Sequence, residues 1–190
     1  SKDGRLFYMY MNFRNMRMNK TDNMYTPNRN IGIASVVMII IGFISLTVAF
    51  VTDSHAAWTN LLFNNYFFLG ISLFAVFFVA LQYVAEAGWS TVIKRVPEAI
   101  MTFLPFTSYV MLFIVVTAVL HFGGNHIYHW LEPGIMTEGS DNYDAIIAGK
   151  EAYLNAPFFL IRSFLYVIIW VYCARRLRQI SLDGDLEGGI

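Results

Sequence analysis

The stretch Ile31–Val51, IGIASVVMIIIGFISLTVAFV, contains no charged residue. Its length is close to the roughly 20 residues that an α-helix needs to cross the core of a bilayer. Three further apolar stretches follow it, Tyr66–Ala87, Met101–His121 and Pro157–Cys173, the last of them short for a full crossing. Backbone groups in hydrocarbon must be satisfied within their own segment, so these stretches are expected to be helices. The fold class is therefore all-α, an integral membrane four-helix bundle.

The segments between the stretches orient it. Lys2, Arg5, Arg14, Arg17, Lys20 and Arg29 precede the first, Lys94 and Arg95 separate the second and third, and Arg175, Arg176 and Arg178 follow the fourth. The two alternate connections are acidic apart from Lys150, carrying Asp53 in one and Glu132, Glu138, Asp141, Asp144 and Glu151 in the other. Basic residues stay on the cytoplasmic side, which places the N-terminus and the C-terminus there. A formal net charge of zero thus conceals a basic inner face and an acidic outer one. Topology accounts for the basic residues, so nucleic-acid binding has no support.

The organisation expected is a cytoplasmic N-terminal extension at 1–30, a bundle at 31–178 with an outer loop at 122–156, and a cytoplasmic tail at 179–190. Mean hydropathy of +0.51 and 57% hydrophobic residues agree with a membrane protein. The polar stretch before Ile31 and the long apolar core behind it favour a retained helix over a cleaved signal peptide. In the extension, Phe7, Tyr8, Tyr10 and Phe13 suit a lipid interface or a partner. Asn28 or Asn30 can cap the first helix. Gly42, Ser45 and Ala49 recur at helical spacing and form a small-residue face suited to helix packing. The lone Cys173 rules out an internal disulfide.

Three groups of residues carry chemical interest. Gln82 and Glu86 are four apart, which puts them on one helix face with Trp89 below. A carboxylate in a membrane helix is costly and faces a bundle interior, a water cavity or a partner. Burial favours its neutral form, the property a proton relay uses. Pairing with Lys94 or Arg95 is the plain structural alternative. Gly88 is expected to end that helix and Pro97 to open the next. Arg162 lies inside the outer end of the fourth stretch, where it can snorkel, pair with an acidic loop residue or bind an anionic headgroup. His121, His126 and His129 come from one end of one segment, unlike haem ligands on facing helices, and their spacing fits no tight zinc pattern. Asn64, Asn65, His121 and Arg162 are expected to share an outer polar layer, either a quinone or lipid headgroup site or a seam to another subunit. At about 35 residues the 122–156 segment exceeds an ordinary connection, which favours docking or binding. Its Tyr143–Leu154 part is expected to form a short helix. No residue is assigned a catalytic or metal-ligating role.

Taken together, Asn60-Leu-Leu-Phe-Asn64-Asn65-Tyr-Phe-Phe-Leu-Gly70, Ala80-Leu-Gln-Tyr-Val-Ala-Glu86-Ala-Gly-Trp89-Ser and Lys94-Arg95-Val-Pro97-Glu98-Ala resemble the NrfD/polysulfide-reductase type of membrane subunit. Within that type they are most similar to the ActF subunits of bacterial alternative complex III, a quinol:cytochrome c oxidoreductase. The resemblance spans residues 58–100, with a looser likeness in His126–Trp130. It implies a bacterial inner-membrane respiratory assembly with a sister NrfD-like subunit, iron–sulfur and multihaem cytochrome c subunits, and in some cases a haem–copper oxidase beside it. It also implies a two-bundle subunit of about ten spans, so the chain is expected to represent an N-terminal portion lacking the second bundle. Quinol oxidation is attributed to the sister subunit. The resemblance therefore implies a non-catalytic scaffold, with Gln82 and Glu86 at the inner end of a proton path and the c-haems and iron–sulfur clusters held by partners. Two other readings stand beside it: a quinone-binding anchor of a related iron–sulfur oxidoreductase, and a structural or assembly membrane protein without redox function.

Overall fold

The structure is a computed structural model that describes residues 28–186. The N-terminal aromatic residues Phe7, Tyr8, Tyr10 and Phe13 and the last four residues lie outside the described residues. The elements are α1 (Arg29–Thr52), α2 (Ser54–Val84), α3 (Arg95–Met101), α4 (Leu104–Val119), α5 (Ala145–Ala148) and α6 (Ala156–Leu186), with short 3-10 turns between them. The fold is all-helical among the described residues. Four helices, Arg29–Thr52, Ser54–Val84, Arg95–Val119 and Ala156–Gly184, are long and apolar enough to cross a membrane. The chain divides into two units, one through Leu46 and one from Thr47.

In the first unit α1 begins as its sequence suggests. Asn28 Oδ1 accepts from the Asn30 amide at 3.1 Å, an N-cap bond. Gly42 and Ser45 are exposed, with open space beside Gly42.

In the second unit the helix starts are set by caps rather than by the onset of apolar sequence. Asp53 is extended (φ −151°, ψ 97°), and its carboxylate accepts from the Ala56 amide at 3.0 Å. The polar segment from Ser54 to Asn65 is therefore already helical, and α2 begins well before Tyr66. The third span is interrupted. Pro105 stands in the first turn of α4. In a continuous helix its ring would meet the carbonyl of Met101, and its nitrogen could not donate. The chain breaks at Thr102–Phe103, dividing the span into α3 and α4. Val119 ends α4, so His121 lies beyond the helix. The fourth span is the opposite case: α6 runs through Leu186, and the first part of the expected tail is helical. Only Ala145–Ala148 of the expected Tyr143–Leu154 helix forms, capped by Asp144 through the amides of Ile146 and Ile147.

α4 packs against both α2 and α6, and α2 also meets α3 and α6. One core cluster joins Leu69, Leu104 and Ala174, with Trp170 and Met111 against it. A second joins Ala75, Val79 and Met101, with Leu177 packed beside it. Outward positions are apolar as well: Phe63 is 73% exposed and Ile161 66%. In water such a surface would be an aggregation liability, whereas lipid tails cover it without cost. The architecture is that of a multi-pass helical membrane protein.

At the end carrying residues 120–156, called here the loop end, two glycines shape the return of the chain. Ser54 Oγ and Trp58 Nε1 both donate to the carbonyl of Gly123, the latter at 2.9 Å. Gly123 (φ 63°) and Gly124 (φ 71°) take the left-handed backbone that turns the chain back over Trp58. The opposite end, which holds the α2–α3 connection, is called the hairpin end.

Candidate functional site

At the hairpin end, α2 terminates three residues earlier than its apolar pattern suggests. Ala85 is the C-cap, and Glu86 has φ 47°. The Glu86 amide donates to the Tyr83 carbonyl at 3.3 Å and the Ala87 amide to the Gln82 carbonyl at 3.2 Å. These two bonds define a Schellman closure, with Glu86 in the left-handed position that glycine ordinarily fills. Glu86 therefore does not continue the helix face of Gln82, as the four-residue spacing suggests. The closure nevertheless brings the two residues together, because both line a cavity of about 310 Å³ with Tyr83, Lys94, Pro97 and Glu98. Trp89 is exposed on the following 3-10 turn and is absent from the cavity wall.

Glu98 is the residue that sequence reasoning passed over. It is 1% exposed. Its Oε2 lies 2.7 Å from Arg95 Nη1, and its Oε1 accepts from the Ser181 hydroxyl. Arg178 Nη1 also donates to the Glu98 backbone carbonyl at 3.3 Å. A buried carboxylate is tolerated when it is paired and hydrogen-bonded, and both conditions hold here. Arg95 is half-exposed, so one face of the pair reaches the surface while the other is sealed by α6. The available signal was an acid three residues after a basic one in the first turn of a helix, a spacing that lets the two side chains meet. The cavity thus runs from an exposed carboxylate, Glu86, to a buried one, Glu98.

The four residues expected to form an outer polar layer are not brought together. Because Asp53 starts α2 early, Asn65 falls about three turns inside the helix, where it is buried and donates to the Thr107 carbonyl at 3.1 Å. It is a tie between α2 and α4. Asn64 faces outward and donates to Asn60 of its own helix at 2.8 Å. His121 is exposed, has φ 50° and lies beside His126, with ring centroids 5.4 Å apart and planes tilted by 51°. No group of three metal-ligating side chains occurs among the described residues. His129 instead pairs with Glu132 at 3.1 Å.

Of the four, Arg162 lines a cleft at this end whose wall does not include the other three. The cleft, about 580 Å³, lies between α2, α4 and α6, and Tyr66, Tyr128, Tyr153 and Ser163 contribute to its wall. The guanidinium carbon sits 4.0 Å from the centre of the Tyr153 ring. This is a cation–π contact in place of the acidic loop partner that the charge pattern suggested. Tyr128 packs edge-on against Phe159, and burial pushes its phenol above the ordinary value of 10.0. Asn125 is the second residue missed: it is fully buried and donates to Thr117 Oγ1 at 2.9 Å and to the Ile114 carbonyl at 3.2 Å. It folds the loop back onto the end of α4.

The sequence matches no protein-family model and no curated protein.

Proposed function

We propose that the chain is an integral subunit of a bacterial inner-membrane quinol:cytochrome c oxidoreductase of the alternative complex III type. In that reading it is a scaffold whose hairpin end takes up protons through Gln82 and Glu86, with Glu98 as the buried acceptor beyond them. The observation that supports it most is a coincidence of sequence and geometry. Gln82, Glu86, Lys94, Pro97 and Glu98, which carry much of the resemblance to ActF-type subunits, all line the same cavity. The basic residues flanking that end argue for the cytoplasmic side, from which a respiratory complex draws protons. Partners in this reading are a sister NrfD-like subunit, iron–sulfur and multihaem cytochrome c subunits, and in some assemblies a haem–copper oxidase. They hold the redox groups.

The test is Glu86→Gln in the assembled complex. Lower proton uptake or turnover with assembly intact is expected; unchanged stoichiometry and rate would sink the reading. A quinone-anchor role has less support, because Asn64, Asn65 and His121 do not border the cleft that holds Arg162.

A further inference from the structure

The cleft beside Arg162 presents an unusual combination. Nη1 of Arg162 is shielded from solvent and has no hydrogen-bond partner among the described residues. A buried guanidinium donor left unmade is expensive, and the aromatic rings around it satisfy charge in part but accept no conventional hydrogen bond. The cleft wall contains no Asp or Glu. Away from the guanidinium the wall becomes apolar, with Leu69, Leu73, Met111, Val115 and Trp170 along it. Trp170 lies eight residues beyond Arg162 on α6, about 12 Å further along the axis at 1.5 Å per residue. The cleft therefore has a cationic head near the loop end and an apolar slot running inward from it.

We infer that this cleft binds one anionic phospholipid, its phosphate on Arg162 and an acyl chain in the slot between α2, α4 and α6. Charge decides the occupant. A neutral headgroup would leave the guanidinium charge uncompensated in a low-dielectric site, and so would a zwitterionic one, whose own cation offsets its phosphate; an anionic phosphodiester supplies both the acceptor and the net charge. The phenol of Tyr128 lines the same cleft and suits a remaining phosphate oxygen, while Ser163, whose hydroxyl donates to the Phe159 carbonyl at 2.8 Å, can accept from a glycerol hydroxyl. The apolar walls match a fatty chain, and a helical membrane protein meets such a ligand from the surrounding bilayer. The lipid would complete the contact surface between α2 and α6 at the loop end. This inference stands independently of the respiratory reading.

The experiment is native mass spectrometry of the full chain, delipidated in mild detergent and titrated with phosphatidylglycerol or with phosphatidylcholine. One phosphatidylglycerol per chain is expected, held at least about ten-fold more tightly than phosphatidylcholine, whose own ammonium offsets the phosphate charge. Arg162→Gln should erase that preference. Gly70 also lines the cleft, and a side chain added there meets open space. Gly70→Leu should therefore weaken phosphatidylglycerol binding while Arg162 and the fold are kept. Retention of the preference in Arg162→Gln, or undiminished phosphatidylglycerol binding in Gly70→Leu, overturns the proposal. So does competition by inorganic phosphate at equal concentration, which would mark a free-anion site. Displacement of the lipid by a quinone, or full occupancy of the cleft by a carboxylate of a co-purifying subunit, overturns it too.

Discussion

The hydroxyl of Ser181 donates to the carboxylate of Glu98, 83 residues earlier in the chain. This bond ties the far end of α6 to the first turn of α3, and both partners are buried. Removing the carboxylate in Glu98→Ala leaves the Ser181 hydroxyl buried without that acceptor and removes the ion pair with Arg95. A loss of about 1–3 kcal/mol is expected. It should register as a lower thermal midpoint in mild detergent. Ser181→Ala should cost less, because Arg95 still holds the carboxylate.

Glu86 separates stability from function. A non-glycine residue in the left-handed region costs roughly 1–2 kcal/mol relative to glycine. Glu86→Gly should therefore leave the bundle as stable as the parent or more so, while removing the exposed carboxylate of the cavity. In the reading proposed above, the same variant loses proton uptake. A variant that is both more stable and fully active would detach Glu86 from that role.

Trp58 anchors the loop end through its bond to Gly123 and its edge contact with Phe50, ring centroids 4.9 Å apart. Trp58→Phe keeps most of the apolar area and loses the donor, for an expected cost of about 1 kcal/mol. Gly123→Ala imposes a left-handed backbone on an L-residue and should cost at least as much. Both should accelerate proteolysis of the 122–156 segment.

Tyr128 offers a pH test. Its phenol ionises above 10.0 in the folded chain, so the unfolded chain loses that proton first as pH rises. Fewer protons on the unfolded state means that stability falls with rising pH in that window. The contribution is constant below it. Alkaline difference spectra should show one late-ionising tyrosine that disappears in Tyr128→Phe.

The four spans are legible in the sequence because an apolar run of bilayer length with almost no charge is poorly tolerated in water and well tolerated in lipid. Their boundaries are less so. Hydropathy begins at Tyr66, but the helix begins where Asp53 can cap it, and that difference moves Asn65 from an interface to a helix–helix tie. Pro105 carries a readable warning of a break, which the continuous apolar run around it outweighs. The spacing of Gln82 and Glu86 points to a shared helix face, whereas a capping turn unites them instead. Glu98 and Asn125 acquire their burial from segments that pack or fold back onto them, which no local pattern encodes. For Arg162 the charge pattern offers an acidic loop partner, and an aromatic ring takes its place.

The length of α6 has a mechanical consequence. At 1.5 Å per residue its axis is about 46 Å long, roughly 16 Å more than a bilayer core. The surplus at its C-terminal end is braced by Ser181 and Arg178 against Glu98 rather than hanging as a tether. Position 182, where Leu182 is 40% exposed, is thus a rigid mounting point. A spectroscopic probe fixed there would turn with the helix, making α6 a ruler for reorientation of the protein in its membrane.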